Sequence, residues 1–205
     1  MAKSALEGPR WRPQREAAAR NEERLLQTAR SVLRSPDATK LDMRDIAQAA
    51  GVGVGTLYRR FGDKSGLLAA VIGDDERALQ EAILRGAPPL GPGAPADERL
   101  AAFIDALVAL TERNLGALVA TEAIPPGRLK VGAYGGWRQH VALLLRELRT
   151  DLGVKDAGWY ADMLLACVDA HLYAFQRREV NLSQRRIATN AKALARAVVA
   201  SASGL

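Results

Sequence analysis

The stretch that decides the fold is Asp42-Met43-Arg44-Asp45-Ile46-Ala47-Gln48-Ala49-Ala50-Gly51-Val52-Gly53-Val54-Gly55-Thr56-Leu57-Tyr58-Arg59-Arg60-Phe61-Gly62-Asp63-Lys64-Ser65-Gly66-Leu67-Leu68. Asp42 is placed to cap a helix N-terminus, with Asp45 three positions on as its capping-box partner. Ile46, Ala47 and Ala50 give that short helix one apolar face. Gly51 follows at once, and a glycine there takes the left-handed conformation that ends a helix and turns the chain. A second short helix is expected from about Gly53 to Phe61, with Leu57 and Phe61 four apart as core anchors. Two short helices joined by a glycine turn make a helix-turn-helix. The second helix of that motif lies in the major groove of DNA.

The second helix carries suitable chemistry. Thr56 and Tyr58 offer hydroxyls for phosphate oxygens, while Arg59 and Arg60 can bond phosphate or read guanine bidentately. Gly53 and Gly55 leave room for backbone to approach a phosphate. Lys64 opens the next helix, where backbone N–H groups also favour an anion. Spacing allows Val54 either in the core beside Leu57 and Phe61 or in the groove, where it would meet a thymine methyl.

The run from Met43 to Leu68 closely resembles the DNA-binding domain of TetR-family transcriptional regulators. The resemblance implies a helix before the motif, a long helix after it, and a divergent helical domain beyond. It also implies a dimeric regulator, commonly a repressor, whose operator affinity changes when a small molecule binds the C-terminal domain. Matched by position, Arg44 resembles the residue near the start of the motif's first helix that reaches DNA. Thr56 and Tyr58 look like the phosphate-contacting pair, and Lys64 like the phosphate-contacting lysine. Gly53, Val54, Arg59 and Arg60 occupy positions that face the groove. Many members carry Ser or Thr at the Gly53 position, a polar residue at Val54 and an aromatic at Arg60. The base-reading load here is therefore expected on Arg44, Arg59 and Arg60.

Charge agrees with that reading. The 205-residue chain carries a net charge of +6. Residues 1–64 hold 13 Lys and Arg against 8 Asp and Glu, so nearly all the excess lies in the first third. Such asymmetry fits a polyanion partner for the basic part. Arg10, Arg12 and Arg15 read equally as a minor-groove arm or as a solvated basic tail. The N-terminus lacks the apolar core of a signal peptide, and no apolar run approaches membrane-spanning length. A single cysteine, Cys167, excludes an internal disulfide framework and a cysteine-based zinc site. The expectation is a cytoplasmic protein that uses no cofactor.

Elsewhere the hydrophobic period is helical throughout, with no sustained alternation, so the fold class is all-α with about nine helices. Breaks are expected at Ser35-Pro36-Asp37, at Pro125-Pro126-Gly127 and around Gly132 to Gly136. The clearest linker is Gly86 to Pro95. The expected organisation is a disordered basic tail at 1–13, a helix-turn-helix domain at 14–73 and an effector-binding and dimerisation domain at 74–205. The last two helices, expected at about 157–177 and 183–200, look like the family's dimer-forming pair. Their apolar faces near Ile187, Leu194 and Val198 would then be buried between subunits. Ala188, Ala191, Ala195 and Ala197 would allow close helix approach there or inside one subunit.

An effector pocket needs an apolar cavity with a few polar groups. Phe103, Leu107, Trp137, His140, Met163, Cys167 and His171 are the candidates, and each could equally be core packing. His171 reads first as a core histidine. The two histidines have no partner at ligand spacing, so no metal site is expected. Gly51-x-Gly53-x-Gly55 follows a helix instead of a strand, and Gly62-Asp63-Lys64-Ser65 lacks P-loop spacing; neither binds a nucleotide. No catalytic set emerges, so an enzyme is not expected. The leading reading is a ligand-responsive regulator, a repressor that binds a near-palindromic operator as a homodimer. The alternative is a dimeric DNA-binding protein with no small-molecule effector.

Overall fold

The computed structural model describes residues 11–33, 40–122 and 133–201. Among them the chain forms nine α-helices and no strand: α1 (Trp11–Leu33), α2 (Met43–Ala50), α3 (Val54–Phe61), α4 (Lys64–Arg85), α5 (Ala96–Glu122), α6 (Tyr134–Leu148), α7 (Val154–Ala166), α8 (Ala170–Arg178) and α9 (Gln184–Ala200). The all-α expectation holds. Arg10, the break at Ser35-Pro36-Asp37 and the break at Pro125-Pro126-Gly127 lie outside the described residues. Trp11 to Pro13, read above as tail, form the first turn of α1, where a proline is tolerated.

The N-terminal unit is a small bundle. α1 buries Leu25, Leu26, Ala29 and Leu33, α2 buries Met43, Ile46 and Ala47, and α3 buries Leu57. α4 closes the bundle with Leu67, Leu68 and Val71 and then runs on, burying Leu79 and Ile83 beyond it. No break marks residue 73, the expected domain boundary. Each such leucine or isoleucine withdrawn from water contributes about 1.5–3 kcal/mol.

The second unit is built on α5, which packs against α4, α6, α8 and α9. Its core joins Phe103 and Leu107 of α5, Trp137, Val141 and Leu144 of α6, Leu165 of α7, Tyr173 of α8 and Ile187 of α9. Two polar clusters lock these helices. The Tyr134 hydroxyl and Arg138 Nε of α6 both donate to Asp162 of α7, at 2.8 and 2.7 Å. The Tyr173 hydroxyl (2.6 Å) and Arg177 Nε and Nη2 (2.9 Å each) of α8 donate to Glu112 of α5. The paired guanidinium holds the Glu112 carboxyl below its usual range. Burial and the adjacent carboxylate raise the Tyr173 hydroxyl.

α5 bends at Asn114, whose φ of −111° and ψ of 15° are not helical. Its Nδ2 donates to the Leu110 carbonyl at 3.1 Å and to Asp75 of α4 at 2.6 Å. Arg113 approaches the same carboxylate at 3.5 Å.

Three expectations for this unit change. The single helix expected at about 157–177 is two, because the Asp169 side chain accepts the N–H groups of His171 and Leu172 and starts a new helix. His171 is exposed on α8, so it is no core histidine. Ile187 is buried within its own subunit, together with Ala188, Ala191 and Ala195, because α9 packs on α5; Val198 is partly buried. Only Leu194 of the three proposed interface residues is exposed.

Candidate nucleic-acid interface

Local chemistry sets α2 and α3. The Asp42 carboxylate accepts the N–H groups of Arg44 (2.7 Å) and Asp45 (3.0 Å), and Asp45 accepts the Asp42 N–H (2.8 Å). These bonds hold the Asp42 carboxyl below its usual range. At the other end Gly51 has φ 65°, with Gly51 N–H bonded to Gln48 O and Val52 N–H to Ala47 O. That left-handed cap turns the chain within three residues into α3.

α3 has two faces. Leu57 is fully buried, and Val54 and Phe61 are half-buried against the core. Val54 thus packs inward more than the groove assignment implies. Opposite them lie Gly55, Thr56 and Arg59, with Tyr58 and Arg60 on the two flanks. Gly55, Tyr58 and Arg59 are exposed, and Thr56 is half-buried. Gly53 is the exposed N-cap residue, with no side chain to satisfy the first N–H groups of α3. Arg44 is exposed on α2.

Two cations are less free than the sequence implies. Arg60 Nη2 donates to the Glu22 carboxylate of α1, an ion pair across 38 residues of chain. No local pattern announces Glu22, so sequence reasoning missed it. Lys64, the first residue of α4, is half-buried. Desolvation lowers its ammonium pKa, and Asp42 and Asp45 oppose that by favouring the charge.

The seven effector candidates do not meet in one place. Phe103, Leu107 and Trp137 are buried core. Phe103 and Leu107 wall a cavity of about 10 Å³, room for about one water. His140 lies edge-on to Phe103, ring centroids 5.3 Å apart, and its Nε2 is buried without a hydrogen-bond partner. Burial and the nearby Arg99 push its pKa down to about 4. Met163 and Cys167 instead line an open groove of about 310 Å³ between α7, α8 and α9. His171 faces solvent. Sequence periodicity finds apolar stripes but not which stripe meets which.

These features define a helical protein with an N-terminal helix-turn-helix. Residues 25–71 match the family described as bacterial regulatory proteins, tetR family. The match spans the second half of α1, α2, α3 and the start of α4, which is the helix-turn-helix unit. Among solved structures it is similar to a protein from Rhodococcus sp. assigned to the TetR family, at 19% identity and TM-score 0.66, covering 88% of this chain and 100% of that one. A TetR-like transcriptional regulator from Rhodococcus sp. RHA1 matches at 20% identity and TM-score 0.62, covering 89% of this chain and 97% of that one. A protein from Pseudomonas aeruginosa PAO1 assigned as a transcriptional regulator matches at 24% identity and TM-score 0.60, covering 87% and 90%. At these identities the likeness is one of fold. No curated protein matches the chain.

Proposed function

We propose that the chain is a homodimeric repressor that reads a near-palindromic operator through α3 and is released by a small molecule. The observation that carries the DNA-facing part is the two-faced α3, with Val54, Leu57 and Phe61 inward and Gly55, Thr56 and Arg59 outward. Arg59 is the base reader. Arg44 shares the base reading, Thr56, Tyr58 and Lys64 hold phosphates, and Gly53 lets the helix come close. Arg60 acts from the flank, where it must leave Glu22 to reach a phosphate, and Val54 touches DNA only with its outer methyl.

The DNA-binding domain spans about 14–73 and the effector and dimer domain about 74–205, with α4 shared between them. For the dimer, the support is a run of exposed apolar side chains on α7, α8 and α9: Trp159, Met163, Leu172, Phe175 and Leu194. A patch of that kind marks an interface. For the effector, the support is the buried, unpartnered His140 Nε2 beside Phe103 and the buried, unpartnered Thr111 hydroxyl of α5. Both would gain a partner from a polar group on an otherwise apolar ligand. The alternative, a DNA-binding dimer without effector, is favoured by the small size of the cavity at Phe103 and Leu107.

The deciding experiment selects duplexes from a random library with the full-length protein and titrates the winner by gel shift at several salt concentrations. A symmetric site, and loss of affinity in Arg59→Ala, support the reading. Failure to enrich any sequence refutes it. A thermal-shift screen then separates the two forms of the proposal, since a bound effector raises the melting temperature by mass action.

A further inference from the structure

Five glycines stand between Gly51 and Gly66, and the fold accounts for three of them. Gly51 and Gly62 have φ of 65° and 77°, a backbone that side chains rarely adopt. At Gly66 a Cβ would overlap the Phe61 carbonyl oxygen, because α4 starts directly against the end of α3. Gly55 has no such reason. It lies inside α3, its φ is not positive, and a Cβ built there meets nothing within 4 Å. Gly53 likewise has open space. Glycine is nevertheless a poor helix former compared with alanine. A poor helix former thus stands where neither backbone nor internal packing asks for it, as Gly73 and Gly135 also do, but Gly55 alone of these lies on the outward face of α3.

Gly55 is one helical turn before Arg59, on the ridge opposite Leu57. We propose that Gly55 is an affinity- and specificity-determining position: its missing side chain lets the duplex press against the α3 backbone, close enough for Arg59 to reach base edges. The inference rests on the reading of α3 as the DNA-facing helix and adds that the approach distance is set by bare backbone. A methyl group at this point stands between helix and duplex. It lifts Arg59 away from the bases while leaving the long-range attraction of its charge. Base-specific binding therefore suffers more than nonspecific binding, which is mainly electrostatic.

The test uses the full chain, a duplex enriched from a random library by the wild-type protein, and a scrambled duplex of equal length. Gly55→Ala should keep or raise the melting temperature, because alanine is the better helix former. The same variant should lose about tenfold or more in affinity for the enriched duplex, the scale of one lost base contact. Its affinity for the scrambled duplex at low salt should change much less. Gly135→Ala is the control, since Gly135 sits in α6 with equally open space. It should bind both duplexes as wild type does. Unchanged affinity in Gly55→Ala overturns the inference and leaves the reading of α3 intact. A lower melting temperature in Gly55→Ala, or an equal loss in Gly135→Ala, also overturns it. Failure of the wild-type protein to enrich any duplex removes both the reading of α3 and the inference.

Discussion

Asn114 donates its side-chain N–H to Asp75 at 2.6 Å, from the residue where α5 departs from helical geometry. The bond joins the bend of the second unit to the helix that carries the DNA-binding unit. Asn114 is buried, so losing its partner leaves a polar group unsatisfied. Asp75→Ala and Asn114→Ala should each destabilise by about 1–3 kcal/mol. For a chain of this size each 1 kcal/mol lowers the melting temperature by roughly 2–4 °C. Calorimetry checks this, and a double-mutant cycle should show strong non-additivity. Additive losses would mean that the two residues act separately.

The two neighbouring arginines of α3 should differ. Arg59→Ala is expected to cost about 1–3 kcal/mol of operator affinity and to relax the preference at one base pair. Arg60→Ala should cost less, because its guanidinium is bonded to Glu22 in the free protein. Glu22→Gln should then tighten binding and steepen the salt dependence, as Arg60 becomes free for a phosphate. Gel-shift titrations of the three variants over a salt series decide this. An Arg60→Ala loss equal to that of Arg59→Ala would contradict the assignment.

His140 gives the chain an acid sensitivity. Its folded pKa of about 4 lies below the ordinary histidine value, so the folded state holds the neutral ring. The stability this contributes is fully present above about pH 6.5 and is lost as pH falls toward 4. Discounted for the partial exposure of the ring, the effect is about 1–2 kcal/mol. Comparing wild type with His140→Asn by urea unfolding at pH 7 and pH 4.5 isolates it from the carboxylates. The variant should lose less stability on acidification. A parallel decline would assign the pH dependence elsewhere.

The apolar run on α7 to α9 makes the dimer testable at one residue. Phe175 is 54% exposed, so Phe175→Glu costs the isolated subunit little. In a dimer built on that face it buries a charge, and sedimentation should show monomers at micromolar concentration. Operator affinity should collapse with it, because two half-sites are then read singly. A dimer that survives Phe175→Glu uses another surface.

How legible each part was follows from the range of the chemistry behind it. The α2–α3 motif was readable because Asp42, Asp45 and Gly51 act within a few residues of themselves. The long α4 was readable from its apolar stripe. The break between α7 and α8 was hidden, because Val168 and Leu172 continue the apolar period across Asp169, and periodicity outvoted one capping side chain. The partner of Ile187 is not legible for a related reason: a stripe states that a face is buried but not by what, and here α5 covers it. The Glu22–Arg60 and Asp75–Asn114 pairs span 38 and 39 residues, distances at which sequence spacing carries no signal.

The 22 residues of α4 make a rod about 33 Å long, and Asp75 stands close to its midpoint. Because α4 is buried in the first unit through Leu67, Leu68 and Val71 and beyond it through Leu79 and Ile83, a rotation about Asp75 would turn one unit against the other. A tilt of about 10° about that point swings each end by roughly 3 Å. The step from one base pair to the next is about 3.4 Å. In the proposed complex with DNA, such a rotation would shift the first unit, with Lys64 at its edge, by nearly the step of one base pair.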